Sequence, residues 1–251
     1  MSTCSSPATA IIAAAAVALA MTGADAAETT VAVAANFTEP AGEIAAAFGA
    51  ATGHTVVLSF GSTGQLYTQI TQQAPFEVFL AADAERPMLA VDEGLAVADS
   101  RFTYAIGKLA LWSADPDLVT DDSVLSSDGF TRLAIANPES APYGAAAVEV
   151  MRALEVYDAL EPRIVQGNNI GQAYQFVATG NAELGFVAVS QIVGDDTGSA
   201  WVVPQDLYAP ILQQAVLLNG GDDNPASVAF LEFLRGPEAA EIIQRFGYAI
   251  E

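Results

Sequence analysis

Residues 29–48 read TTVAVAANFTEPAGEIAAAF, and residues 55–73 read TVVLSFGSTGQLYTQITQQ. Each stretch opens on a run of small and β-branched residues, the pattern of a strand buried on both faces. Each run then breaks at small or neutral polar residues. These are Ala35-Asn36-Phe37-Thr38 in the first and Gly61-Ser62-Thr63-Gly64 in the second. Beyond the break, apolar residues return at helical spacing: Ile44, Ala45 and Phe48, then Leu66 and Ile70. Strand, polar loop and helix, repeated, predict an α/β fold with mostly parallel sheets flanked by helices.

The rhythm continues outward. Strands are expected at 77–82, along a long run at 104–112 broken by Gly107, and at 132–136, 163–166, 184–189, 201–203 and 214–218. Helices are expected at 86–93, 144–154, 171–179, 225–234 and 237–246. This many strands suit two sheets better than one. The chain changes sheet near Tyr104 and returns along residues 205–212. The expected organisation is therefore a discontinuous domain from 27–104 and 206–251, with a second domain at 105–205. A hinged pair without a long linker follows.

Composition removes several classes of function. Asp and Glu number 30 against 8 Lys and Arg, for a net charge of -22, so nucleic acid and anionic membranes are not expected partners. The acidity fits a solvated surface or a high-salt habitat equally well. One Cys (Cys4) and one His (His54) exclude disulfide frameworks and Cys/His zinc sites. Residues 10–21 form a short apolar run, followed by Ala24-Asp25-Ala26. That is the pattern of a cleavable secretory signal at 1–26, although residues 1–9 carry no Lys or Arg. The mature chain is expected to begin near Ala27, without cysteine, outside the cytoplasm.

Two further junctions share the character of the first two: Ala141-Pro142-Tyr143-Gly144 and Asn168-Asn169-Ile170-Gly171. Two of the four fall in each expected domain. Helix N-termini expose unpaired N–H groups and the positive end of the helix dipole. Asn36, Ser62, Thr63 and Tyr143 add neutral polar groups, and no Lys or Arg stands among the sixteen residues of these junctions. Asn, Ser and Thr also serve as ordinary helix caps, so a single junction says little. Four together suit a small oxyanion held without a counter-cation. Enzyme signatures are weak. A Ser-His-Asp triad would require His54, which sits at a strand start, away from the carboxyl ends where ligands bind, and is expected on the surface. No G-x-S-x-G elbow is present.

The stretches VAVAANF (31–37), FGSTGQLYTQI (60–70), RFTYAIGKLALWS (101–113), IANPESAPYG (135–144), NNIGQA (168–173), LGFVAVSQI (184–192) and LRGPEAAEIIQRFGY (234–248) resemble the periplasmic molybdate-binding proteins of ABC transporters. The resemblance covers nearly all of the chain after residue 26. It implies a two-domain clamshell of the type II periplasmic binding protein class, without enzyme activity or cofactor. Its ligand would be molybdate or tungstate, held as the oxyanion with no direct metal ligands and passed to a membrane permease. The contacts it implies are Ala35, Asn36, Ser62, Thr63, Tyr143 and the backbone N–H of Ile170. Ala188 stands where some members carry a tyrosine, and the Tyr143 phenol is expected to replace it. A monomer is expected. A receptor of the same fold for sulfate or another oxyanion, or an exported α/β hydrolase, are the alternatives.

Overall fold

The computed structural model describes residues 1–2, 26–195 and 197–250. The apolar run at 10–21 and Cys4 lie outside the described residues. In chain order the strands are β1 (Glu28–Ala34), β2 (Thr55–Gly61), β3 (Val78–Leu80), β4 (Phe102–Gly107), β5 (Leu109–Ser113), β6 (Leu133–Ala136), β7 (Ile164–Gly167), β8 (Leu184–Ala188), β9 (Ser199–Val202) and β10 (Ile211–Leu217). The helices are α1 (Thr38–Thr52), α2 (Thr63–Thr71), α3 (Glu85–Asp92), α4 (Pro142–Ala153), α5 (Tyr157–Leu160), α6 (Ile170–Ala178), α7 (Pro225–Leu234) and α8 (Pro237–Arg245).

The strands form two sheets, ordered β2-β1-β3-β10-β4 and β7-β6-β8-β5-β9. Both sheets are mixed. β1 pairs in parallel with β2 and β3, and β6 with β7 and β8. β10 runs antiparallel to β3 and β4, and β5 antiparallel to β8 and β9. The antiparallel pairings come from the two strands beside the crossings between sheets.

The long β-like run at 104–112 divides at Lys108, with β4 in one sheet and β5 in the other. Gly107 sits beside that division. A Cβ there would lie 2.2 Å from the Tyr143 hydroxyl and 2.7 Å from Gln213 Nε2, so a larger residue would have to push these buried side chains aside. α1 stops at Gly53, whose φ of 79° places it in the left-handed region that favours glycine.

Each sheet has its own apolar packing. Val31, Val33, Phe37, Ile44, Phe48 and Phe230 are fully buried on one face of the first sheet. Leu109, Leu111, Leu133, Leu184 and Phe186 are fully buried around the second. His54 corrects an expectation. It does stand just before β2, at the end of the sheet opposite the strand's carboxyl end, but it is 9% exposed rather than a surface residue. Its ring stacks on Phe48 with centroids 6.0 Å apart, and its Nδ1 accepts the Ala27 N–H at 3.0 Å. Coverage by α1 and by the chain entering β1 is a tertiary effect that strand position alone does not reveal.

Candidate functional site

Parallel pairing puts the carboxyl ends of β1, β2 and β3 on one edge of the first sheet, and those of β6, β7 and β8 on one edge of the second. The two edges meet. The Gly64 N–H donates to the Ser140 carbonyl at 2.8 Å, and the Ser190 hydroxyl donates to the Asn36 carbonyl at 2.9 Å. A small cavity lies between them. All four sequence-selected junctions line it: Ala34, Ala35 and Asn36; Gly61, Ser62 and Thr63; Ala141, Pro142 and Tyr143; Asn169 and Ile170. Ala82 completes the lining from a fifth junction, after β3. The sequence reading missed that junction because Ala81 and Ala82 offer no polar side chain.

The first-turn donors can be accounted for one by one. In α2, the Gly64 N–H is bound to Ser140 and the Gln65 N–H to the Ser62 hydroxyl oxygen at 3.4 Å. In α4, Pro142 has no N–H and the Gly144 N–H binds the Ala141 carbonyl. In α6, the Gln172 N–H binds Asn169 Oδ1 at 2.9 Å, and the Gly171 N–H has no acceptor among the described residues but lies outside the cavity lining. The N–H groups of Thr63, Tyr143 and Ile170 remain without an acceptor among the described residues, and so do those of Ala35 and Asn36 in the turn before α1. All five residues line the cavity. Ser62 and Asn169 are thus ordinary N-caps, and capping the third N–H leaves the first free to face a ligand.

The two hydroxyls are oriented by what they accept. Thr63 Oγ1 accepts the Ala82 N–H at 3.0 Å, and Ser62 Oγ accepts from Gln65. Each keeps its proton to donate. Both side chains are buried, Thr63 at 1% exposure and Ser62 at 3%. Among the described residues, no Lys, Arg, Asp or Glu lines the cavity. The arrangement offers donors and the positive ends of helix dipoles, and no carboxylate acceptor.

The side chains of Asn36 and Tyr143 turn elsewhere, into a buried polar hub. Asn36 Nδ2 donates to Gln213 Oε1 at 2.9 Å and to the Tyr248 hydroxyl at 3.0 Å. Gln213, on β10, accepts from Tyr104 at 3.0 Å and donates from Nε2 to the Tyr143 hydroxyl at 3.1 Å. Tyr248 donates to the Asn36 carbonyl at 2.8 Å. Burial pushes the Tyr143 and Tyr104 phenols well above their usual range. It pushes Tyr248 up to about 12, against hydrogen bonds that lower it. The Tyr143 hydroxyl thus accepts from Gln213 and is also hydrogen-bonded to Tyr248 inside the hub, so the phenol expected to donate to a ligand has other partners, while the Tyr143 N–H has no acceptor among the described residues. Gln213 and Tyr248 were not singled out from the sequence. A glutamine inside a buried strand was the available signal.

A profile of the family described as bacterial extracellular solute-binding protein matches residues 29–249. The chain belongs to that family. A molybdate-binding protein, ModA, of Rhodobacter capsulatus is 60% identical over 224 residues, 89% of each chain. The solved periplasmic molybdate-binding protein of Azotobacter vinelandii superposes with a TM-score of 0.86 at 42% identity, covering 89% of this chain and 99% of that one. A sulfate-binding protein, SubI, of Mycobacterium tuberculosis shares the solute-binding fold, with a TM-score of 0.75 at 11% identity, covering 88% and 86%.

Proposed function

We propose that this solute-binding protein is an extracytoplasmic receptor for molybdate or tungstate that delivers the anion to the membrane permease of an ABC transporter. The observation that carries the reading is the convergence of unpaired N–H groups and of hydroxyls whose protons are free to donate on one small cavity that, among the described residues, no charged side chain lines. A fully deprotonated tetrahedral dianion needs donors only. A protonated phosphate also needs an acceptor, and neither Glu39 nor Glu139 reaches the lining. The names of the relatives with 42–60% identity favour molybdate over sulfate.

In this reading the contacts are the backbone N–H groups of Ala35, Asn36, Thr63, Tyr143 and Ile170 and the hydroxyls of Ser62 and Thr63. Two domains, 27–104 with 206–251 and 105–205, close on the anion as a clamshell. The chain acts as a monomer in the periplasm after cleavage near Ala26, with no cofactor. Parallel calorimetric titration with molybdate, tungstate, sulfate and phosphate tests this. Binding restricted to the first two supports the reading, and a preference for sulfate replaces it. A ligand at a thousandfold excess over Kd stabilises the folded state by about 4 kcal/mol. A melting temperature unmoved by every tetrahedral oxyanion removes the reading altogether.

A further inference from the structure

We propose that Arg86 is a positioning residue that ties the two sheets together beside the cavity and sets how fast a bound anion leaves. The proposal rests on the oxyanion reading of the cavity. Arg86 lies in the first turn of α3, just beyond the fifth junction. Asp83 fixes it twice: one carboxylate oxygen accepts the Arg86 N–H at 3.0 Å, and the other pairs with Nη1. The pair leaves Nη2 free to point across to the second sheet, where it donates to the Glu139 carbonyl at 3.2 Å. The next carbonyl, that of Ser140, accepts the Gly64 N–H.

Arg86, Gly64 and residues 139–140 therefore form one seam. The packing along it is tight. A Cβ on Gly64 would lie 3.0 Å from Ser140 Cα and 3.2 Å from Arg86 Nη2. Arg86 does not line the anion cavity; it lines a larger neighbouring one with Asp83 and Glu139. Its charge is matched by Asp83, so it adds little net field where the anion would sit. What remains is a bond between the two sheets that opening must break. That makes release the affected step, with capture left nearly unchanged.

The test loads the full mature chain with radiolabelled molybdate and follows its washout under excess unlabelled molybdate. Association is measured separately at low and high salt. Arg86→Ala is expected to release the anion about tenfold faster, with association within twofold of the parent; the ligand-free melting temperature should fall as well, because the mostly buried Asp83 loses its cation. Arg86→Lys, which can still donate across the seam, is expected to recover part of the retention. Asp83→Asn, which loosens the guanidinium without removing it, is expected to fall between. If Arg86→Ala lowers the ligand-free melting temperature sharply, the Lys variant decides, because a purely structural defect would not appear in release alone. Unchanged release overturns the proposal. So does a loss confined to association that disappears at high salt, which would make Arg86 a steering charge. A parent chain that binds no molybdate fails the oxyanion reading first, and is distinguishable from both.

Discussion

The two walls of the cavity do the same chemistry by different means. The wall from the first sheet brings two hydroxyls, Ser62 and Thr63, together with backbone N–H groups. The wall from the second brings the backbone N–H groups of Tyr143 and Ile170 and, from Asn169, a side chain whose Oδ1 is occupied as a cap. One wall can be disabled by trimming a side chain. The other is written into the backbone and tolerates changes of side chain that leave the helix start intact. A receptor built this way carries much of its specificity where single substitutions do not easily reach it.

The largest effect should come from the side-chain wall. Thr63→Val keeps the shape of the residue but removes the free proton and leaves the Ala82 N–H unpaired. A hydrogen bond to a charged group contributes roughly 1.5–3 kcal/mol, so molybdate affinity should fall about a hundredfold, while Thr63→Ser stays within about threefold. Calorimetry on the pair checks this.

The backbone wall requires a different substitution. Ile170 is the first residue of α6, where proline is well tolerated, and the preceding Asn169 is extended. Ile170→Pro removes only the N–H from the donor set and should cost about tenfold in affinity. Ile170→Ala keeps the N–H and should stay near the parent. Equal losses in the two variants would show that the apolar side chain matters and the N–H does not.

Tyr143→Phe sharpens the contrast further. With the phenol in the hub, the variant should bind molybdate within about threefold of the parent and lose about 1 kcal/mol of stability, read by denaturant titration. A hundredfold loss of affinity would move the phenol back to the anion. Tyr248, pushed up to about 12 by burial, stays protonated at neutral pH. Its contribution to stability is present below about pH 10 and is lost as pH rises through about 12. Melting temperature should accordingly be insensitive to this residue between pH 6 and 9. Smallest of all on binding is His54→Ala. It should leave affinity unchanged and cost roughly 1 kcal/mol of stability through the lost Ala27 bond and the Phe48 contact.

Much of this was legible in the sequence because its determinants are local. The run TTVAVAA announces β1, Thr52-Gly53 ends α1, and Pro225 and Pro237 mark the starts of α7 and α8. The four junctions were readable for the same reason, since loop residues that start helices have recognisable types. What was not legible depends on partners far away in the chain. Gln213 looks like a stray polar residue in an apolar strand until Asn36, Tyr104 and Tyr143 are found around it. Arg86 looks like a solvated charge until Glu139 is found opposite. The mixed direction of each sheet escaped because strand pattern does not encode pairing partner or sense.

The hub also places the binding site in time. Asn36 and Tyr248 are separated by 212 positions, yet each satisfies the other's buried polar groups, and Ala249 pairs with Ile106 beside them. β1, α1 and β2 follow one another in the chain, yet their buried face is completed by Phe230, Ile242 and Ile243 from α7 and α8. The first loop cannot be held in its final form until the segment at 248–249 arrives. Contacts this distant in sequence form slowly. Ligand capture is therefore a property of the finished chain, because the loop that carries Asn36 is held by residues at the chain's far end.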